Sequence, residues 1–199
     1  MDKHLNVPVG KEEIKALRAG DMVFLTGTIY TARDAAHKRM DEALLRAGQT
    51  DPNASGEGAA VNSTGVLPLE LEGNIIYYMG PSPAREGRPI GSAGPTTASR
   101  MDKYAPKLLD LGLLGMIGKG KRSREVIDAI VRNGAVYFAA IGGAGALLSK
   151  AITASEVIAY DDLGTEAIRK LTVKDFPAIV VIDSEGNNLY ESAVQQYSL

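Results

Sequence analysis

Several short segments carry side chains whose type and spacing could do chemistry. In Thr31-Ala32-Arg33-Asp34 a cation sits just inside the start of an expected helix. A positive charge there opposes the helix dipole by about 0.3–1 kcal/mol. Arg33 is therefore either a solvated or salt-bridged surface residue, or a cation aimed at an anion that the helix N-terminus also favours. Gly94-Pro95-Thr96-Thr97-Ala98-Ser99-Arg100 has the same design. A glycine–proline turn leads to hydroxyls at an expected helix start, with Arg100 one turn in. Either a threonine caps the helix and Arg100 is merely exposed, or amides, hydroxyls and guanidinium converge on one carboxylate or phosphate.

Gly118-Lys119-Gly120-Lys121-Arg122 follows an expected strand. Glycines let backbone approach a ligand and Lys119 supplies a point charge. The spacing is not that of a Walker A loop, and an ordinary basic turn is the competing reading. Gly142-Gly143-Ala144-Gly145 lacks the GxGxxG spacing and reads as a tight strand-to-helix turn. Asp161-Asp162 reads as a turn and helix cap rather than a metal site, and His37, beside Lys38 and Arg39, as structural or exposed. Three turns thus present cations and two present hydroxyls. A small dianion such as a dicarboxylate suits them, each carboxylate taking an arginine fork or a lysine.

The rest of the composition narrows the chemistry. The chain has 199 residues, 22 Lys+Arg, 24 Asp+Glu, 2 His and no Cys, with a net charge of −2. The near-neutral balance excludes a surface that generally coats nucleic acid. Without cysteine there is no disulfide, no thiol catalysis and no cysteine-ligated zinc or iron–sulfur cluster held by this chain alone. His4 and His37, the only histidines, make a histidine metal cage improbable. With no evident strong nucleophile or poised histidine, the chemistry is incomplete and something else must supply it. The first residues lack a signal-peptide core, and the longest uncharged run, 133–149, is shorter than the about 20 apolar residues of a spanning helix. The expectation is a cytoplasmic protein with no membrane segment.

The elements that must position these groups alternate strand and helix, which predicts an α/β fold in a single domain over residues 1–199. Lys11–Ala19 reads as a helix ended by Gly20, and Met22–Tyr30 as a strand. Thr31 is an expected N-cap for a helix whose apolar face is Ala36, Met40, Ala43, Leu44 and Ala47 and which Gly48 ends. Residues 49–65 read as a mobile surface loop, Asn74–Met79 as a strand and Gly80–Pro95 as irregular. A helix begins at Thr96–Tyr104, with Pro106 kinking or restarting it. Leu114–Ile117 is an expected strand, Ser123–Asn133 a helix capped by Gly134, Ala135–Ile141 a strand and Leu147–Ile152 a helix. Glu156–Tyr160 reads as a strand, Thr165–Leu171 as a helix, and Ala178–Asp183 with Asn188–Glu191 as a closing antiparallel hairpin.

The runs LTGTIYTARDAAHKR (Leu25–Arg39), GPTTASRMD (Gly94–Asp102), GMIGKG (Gly115–Gly120), GGAGALLSKAI (Gly142–Ile152), YDDLGTEAI (Tyr160–Ile168) and FPAIVVIDSEGN (Phe176–Asn187) resemble the C-terminal domain of class I, iron–sulfur fumarases. The same domain occurs as the beta subunit of L-tartrate dehydratases. The resemblance runs from about Gly20 to about Tyr190 and implies a swivelling β/β/α domain, three-layered with a mixed sheet.

The resemblance also implies a hydro-lyase that interconverts fumarate and (S)-malate, or dehydrates L-tartrate to oxaloacetate. In that family three cysteines of the larger part hold a four-iron four-sulfur cluster, whose unligated iron binds substrate and acts as Lewis acid on the departing hydroxyl. This chain then looks like the beta subunit of a split enzyme. Its expected partner is a cysteine-bearing alpha subunit that holds the cluster, in a hetero-oligomer with two copies of each. By motif match the substrate-contacting positions are Arg33, Thr96, Thr97, Arg100 and Lys119, with no metal ligand among them. Arg33, Arg100 and Lys119 would hold carboxylates and stabilise developing negative charge. Thr96 would act catalytically at the carbon that loses a proton, as relay or orienting group beside an aspartate of the partner. A stand-alone anion- or nucleotide-binding module and a non-catalytic regulatory partner are the competing readings.

Overall fold

The computed structural model describes residues 2–50, 65–140 and 144–197. Most of the loop expected over 49–65 and the first two glycines of the Gly142–Gly145 turn lie outside the described residues. The fold is α/β with a mixed sheet of seven strands. These are β1 (Lys3–Val7), β2 (Met22–Thr31), β3 (Ile75–Tyr77), β4 (Gly115–Gly118), β5 (Val136–Ala139), β6 (Ile152–Ala159) and β7 (Ile168–Ile182). The helices are α1 (Lys11–Lys15), α2 (Asp34–Thr50), α3 (Ala105–Asp110), α4 (Arg124–Asn133), α5 (Gly145–Leu148) and α6 (Leu189–Tyr197).

β2 organises the sheet. Its run of β-formers bonds parallel to β1 over Val23–Gly27 and parallel to β3 over Tyr30–Thr31. Along its whole length it bonds antiparallel to β7, from Met22 opposite Ile179 to Thr31 opposite Arg169. β3, β4 and β5 continue in parallel. β7 then also bonds β5, so the neighbour pairings β2–β3–β4–β5–β7 lead back to β2. β6 lies outside this circuit, antiparallel to β7.

Side chains alternate between two cores, as strand geometry requires. Ile75, Tyr77 and Met79 join one core with Val23, Leu25, Val136, Phe138 and Phe176. Ile76 and Tyr78 face the other, which α2, α3 and α4 cover with Met40, Leu44, Leu108, Val126 and Ile130.

Several expectations hold. α4 has Ser123 as N-cap and ends at Gly134 in the left-handed conformation, φ 65°. Pro106 sits in the first turn of α3 and restarts the helix there. Residues 80–94 form neither helix nor strand.

Others are corrected. Thr31 does not cap α2; it is buried at the end of β2, where its Oγ1 accepts the Arg169 amide at 3.1 Å. Gly48 does not end α2, because one glycine costs about 1 kcal/mol in a helix and does not forbid it. Pro95–Thr97 is an extended strap leading into one 3-10 turn, Ala98–Met101, rather than a helix start. The expected helix at Thr165–Leu171 is a 3-10 segment, Asp161–Glu166, followed by β7. Within β7, Leu171 and Val173 alternate into one core and Ile168 into the other, and the ladder with β2 runs from Arg169 onward. The closing hairpin is half present. Asp183 Oδ1 accepts the Glu185 and Asn187 amides, both at 3.0 Å, which makes the turn. The second arm is α6, because Asn188 Oδ1 accepts the Tyr190 amide at 3.1 Å and starts a helix, leaving one bridge to Ile182.

Gly27 shows how tightly β1 and β2 meet. Its φ is +122°, and a Cβ there would stand 2.2 Å from the Val7 carbonyl oxygen. Gly20, at φ +98°, has nothing within 4 Å of that position. Gly20→Ala should cost about 1–2 kcal/mol, the strain of the backbone conformation alone. Gly27→Ala should cost roughly 3 kcal/mol or more, since backbone must also move. Urea midpoints of the two variants measure this, and equal losses would contradict the close approach.

Candidate functional site

β2, β3 and β4 run parallel, so their C-terminal ends share one edge. The carboxyl ends of parallel strands are where α/β folds, open or closed, hold ligands. Arg33 follows β2, Gly80–Thr97 follows β3, and Lys119 follows β4.

Backbone bonds join these three ends. Met79 bridges Pro95, and Thr97 bridges Lys119. The Thr96 amide donates to the Tyr78 carbonyl at 2.8 Å, the Lys119 amide to the Thr96 carbonyl at 3.3 Å, and the Ala98 amide to the Lys119 carbonyl at 2.9 Å. The strap over residues 95–98 therefore extends the sheet edge by one step. Gly118 allows it, because a Cβ there would lie 3.0 Å from the Ala98 Cβ and 3.1 Å from the Tyr78 ring. The main chain is consumed, and the Thr96 and Thr97 hydroxyls are left for other work. Thr97, the residue before the 3-10 turn, makes no side-chain cap bond, so the plain helix-cap reading of these threonines fails.

The cations differ in how they are held. Arg33 is about one-fifth exposed and bonds Glu166 Oε1 at 3.1 Å. Glu166 Oε2 accepts the Ala35 amide at 3.1 Å. One carboxylate thus neutralises Arg33 and caps α2, taking the anion position that the helix start favours. Gly80 makes room, since a Cβ there would stand 3.0 Å from Arg33 Nη1 and 2.7 Å from the Thr165 carbonyl oxygen. Arg100, at the end of the strap, donates Nη2 to Asp34 Oδ2 at 2.8 Å and is about half exposed. Lys119 is exposed and makes no ion pair among the described residues. Contacts therefore run unbroken from Arg33 through Asp34, Arg100 and the strap to Lys119. All five expected positions lie on this one rim.

Asp34 and Glu166, which hold the two arginines, were not among the expected site residues. Asp34 reads in the sequence as an ordinary first-turn acid, and Glu166 is distant along the chain. In the sequence Arg122 belongs with Lys119 and Lys121 to one basic turn, but in the structure the turn splits. Lys119 and Lys121 are exposed, whereas the Arg122 side chain is 0% exposed and bonds Asp102 Oδ1 at 2.7 Å. Asp162 pairs with Arg39 instead of capping a helix; Tyr160 precedes the 3-10 segment and makes no side-chain cap bond. Among the described residues no group of three or more His, Cys, Asp or Glu could hold a metal ion. Nor is any helix among them long and apolar enough to cross a membrane.

His37 lies directly beneath the rim. Its Nδ1 bonds the Arg33 carbonyl at 2.9 Å, which makes Nδ1 the protonated nitrogen, and its ring packs edge-on against Tyr78 at 5.4 Å. Burial pushes its pKa down to about 4, with Arg122 adding to the effect and the Arg33 carbonyl opposing it. Burial also raises the pKa of Tyr78, an effect that Arg122 only partly offsets.

The fumarase C-terminus family model matches residues 2–193. The chain is 40% identical over 174 residues to the anaerobic class I fumarate hydratase of Escherichia coli, covering 86% of this chain and 29% of that protein. It is 36% identical over 194 residues to fumarate hydratase 2 of Leishmania major, covering 96% of this chain and 31% of that protein. It thus spans about three-tenths of the length of these fumarate hydratases. It is 35% identical over 187 residues to a Methanocaldococcus jannaschii protein named "Putative L(+)-tartrate dehydratase subunit beta", covering 91% of this chain and 87% of that one. The chain belongs to the fumarase C-terminus family.

The histidine beneath the rim makes stability depend on pH. The unfolded chain protonates His37 near pH 6.5, and the folded chain only near about 4. Between these values the unfolded state holds the extra proton, so the histidine's contribution is full above pH 6.5 and lost as pH falls towards 4. Wild type should lose about 3 kcal/mol more than His37→Gln between pH 7 and pH 4 by urea unfolding. Equal losses would contradict a neutral buried imidazole.

Proposed function

We propose, from this chain's membership of the fumarase C-terminus family, that it is the beta subunit of a hydro-lyase interconverting fumarate and (S)-malate. The observation that carries this reading is the rim of strand ends. It gathers two carboxylate-engaged arginines, a lysine with no ion pair among the described residues and two hydroxyls around one edge. That set suits a small dicarboxylate.

Arg100 and Lys119 bind the substrate carboxylates, with Thr97 donating a hydroxyl and Arg33 adding charge at the α2 end. Arginine carries five N–H donors in a planar fork. Arg100 gives Nη2 to Asp34 and keeps others to offer a ligand. The same cations stabilise negative charge as it builds on a carboxylate while the adjacent carbon loses its proton. Thr96 is the catalytic residue of this chain. A threonine hydroxyl is too weak a base to act alone at neutral pH, so it orients or relays that proton beside a carboxylate of the partner.

The residues present do not fit an iron–sulfur cluster, since the chain has no cysteine and its described residues hold no metal-ligand group. The four-iron four-sulfur cluster of the proposed enzyme therefore belongs to a cysteine-bearing alpha subunit. Two copies of each subunit form the proposed assembly, in the cytoplasm. The two cores on opposite faces of the sheet support a swivelling, three-layered β/β/α domain that closes over the partner's site.

A second reading, beta subunit of an L-tartrate dehydratase, is favoured by the relative of that name, which this chain matches along 87% of its length. The two substrates differ by hydroxyls that a few side chains, some of them on the partner, must read.

Co-expression with the cysteine-bearing partner without oxygen, cluster reconstitution and assay with fumarate, (S)-malate and L-tartrate tests both readings. Turnover of one substrate only when both chains are present is expected, and that substrate names the reaction. A stable, cluster-loaded complex that turns over none of them would overturn both. In the active complex Arg100→Lys should lower kcat/KM at least about tenfold, or about 1.4 kcal/mol. A lysine ammonium can pair with Asp34 but offers no second fork arm to the substrate. Unchanged kcat/KM would remove Arg100 from the site.

A further inference from the structure

Beneath the rim lies a buried ion pair that the proposed chemistry does not use. The Arg122 side chain is 0% exposed and that of Asp102 13%. Arg122 Nε donates to Asp102 Oδ1 at 2.7 Å, and Nη1 reaches the Met116 sulfur at 3.4 Å. The guanidinium lies against the rings of Tyr78 and Tyr137, with Cζ 5.3 Å and 5.0 Å from their centres. Asp102 Oδ2 accepts the Ser123 amide at 2.7 Å, at the start of α4.

The position of the pair is what makes it informative. Asp102 ends the 3-10 turn that carries Arg100, its amide donating to the Ser99 carbonyl at 3.2 Å. Arg122 stands three residues after Lys119, in the turn whose Gly120 carbonyl accepts the Tyr137 hydroxyl at 3.0 Å. The pair therefore joins the two segments that bear Thr96, Thr97, Arg100 and Lys119 at a second place, besides the two backbone bonds between Thr96–Ala98 and Lys119. Burying two charges is costly, and apolar residues of similar volume often stabilise a fold as well or better. A pair kept in that place is better explained by the geometry it fixes than by stability.

We propose that Arg122 and Asp102 are positioning residues, which clamp the Thr96–Asp102 segment to the Lys119 turn and so set where Arg100 and Lys119 stand. The kinetic part of this proposal rests on the function proposed above; the clamp itself does not.

The test compares the complete enzyme, this chain with its cluster-bearing partner, as wild type, as the double variant D102N/R122M and as R122K. The double variant removes both charges together, so no unpaired charge is buried, and the introduced asparagine side chain still offers an acceptor to the Ser123 amide. It should keep its Tm within about 3 °C of wild type, roughly the effect of a 1 kcal/mol change in a chain of this size. Its kcat/KM should fall at least about tenfold. Hydrogen exchange at the Ala98 and Lys119 amides should speed up at least about tenfold, with the β1–β2 ladder unchanged. R122K, which keeps the charge, should rescue neither readout, because an ammonium cannot span Asp102 and both tyrosine faces. A lowered Tm with unchanged kcat/KM and exchange would mark the pair as merely structural and overturn the proposal, as would full rescue by R122K. If the wild-type complex turns over none of the three acids, the proposed function fails, and exchange at Ala98 and Lys119 alone decides the clamp. Should the double variant not fold, R122K decides by the same readouts.

Discussion

Three backbone hydrogen bonds hold the candidate site together, and most of what it contains follows from them. They run from Thr96 to Tyr78, from Lys119 to Thr96 and from Ala98 to Lys119. A strap that would otherwise be a surface loop thereby becomes a continuation of the sheet edge. Polar backbone must find partners when it is covered, and here it finds them in neighbouring strand ends. The side chains on the strap then inherit the rigidity of the sheet. Gly118 is needed for this contact, since any side chain there would strike Ala98 and Tyr78. The approach of strap to strand fixes Thr96 and Thr97 on one side of the rim and Lys119 on the other.

Charge is arranged around that seam in a graded way. Arg33 is held by Glu166 and Arg100 by Asp34, so neither arginine faces the other unscreened. Glu166 serves α2 as well, accepting a first-turn amide. In the function proposed for this rim, an incoming carboxylate would meet guanidinium groups that are already oriented, which lowers the cost of ordering them on binding. Lys119 brings a mobile charge with no competing carboxylate among the described residues. Below the rim, His37 is kept neutral by burial while Arg122 is kept charged beside Asp102. The two buried groups thus differ in charge although both lie against Tyr78.

Much of this arrangement is legible in the sequence, for reasons that are local. Arg33 and Lys119 each stand just past a run of β-formers, Thr96 follows a glycine–proline turn, and Gly134 and Ser123 mark both ends of α4. The parts that escape are those decided at long range. Ile168 and Leu171 stand at helical spacing, and only pairing with neighbouring strands settles the segment as strand. Asn188 starts a helix rather than a returning strand because its side chain caps the next turn. Arg122 looks like its neighbours Lys119 and Lys121, yet it is buried, because the acid that receives it lies 20 residues earlier. Glu166 is separated from Ala35 by 131 residues and gives no local sign of its role.

The central claim is that this rim receives a dicarboxylate. The most direct measurement is a crystal structure of the complete enzyme with (S)-malate or L-tartrate bound. The account predicts carboxylate oxygens about 2.7–3.0 Å from the Arg100 guanidinium and the Lys119 ammonium, with the Thr96 hydroxyl facing the carbon that exchanges a proton. A dicarboxylate bound by the partner alone, touching none of Arg33, Thr96, Thr97, Arg100 or Lys119, would contradict it.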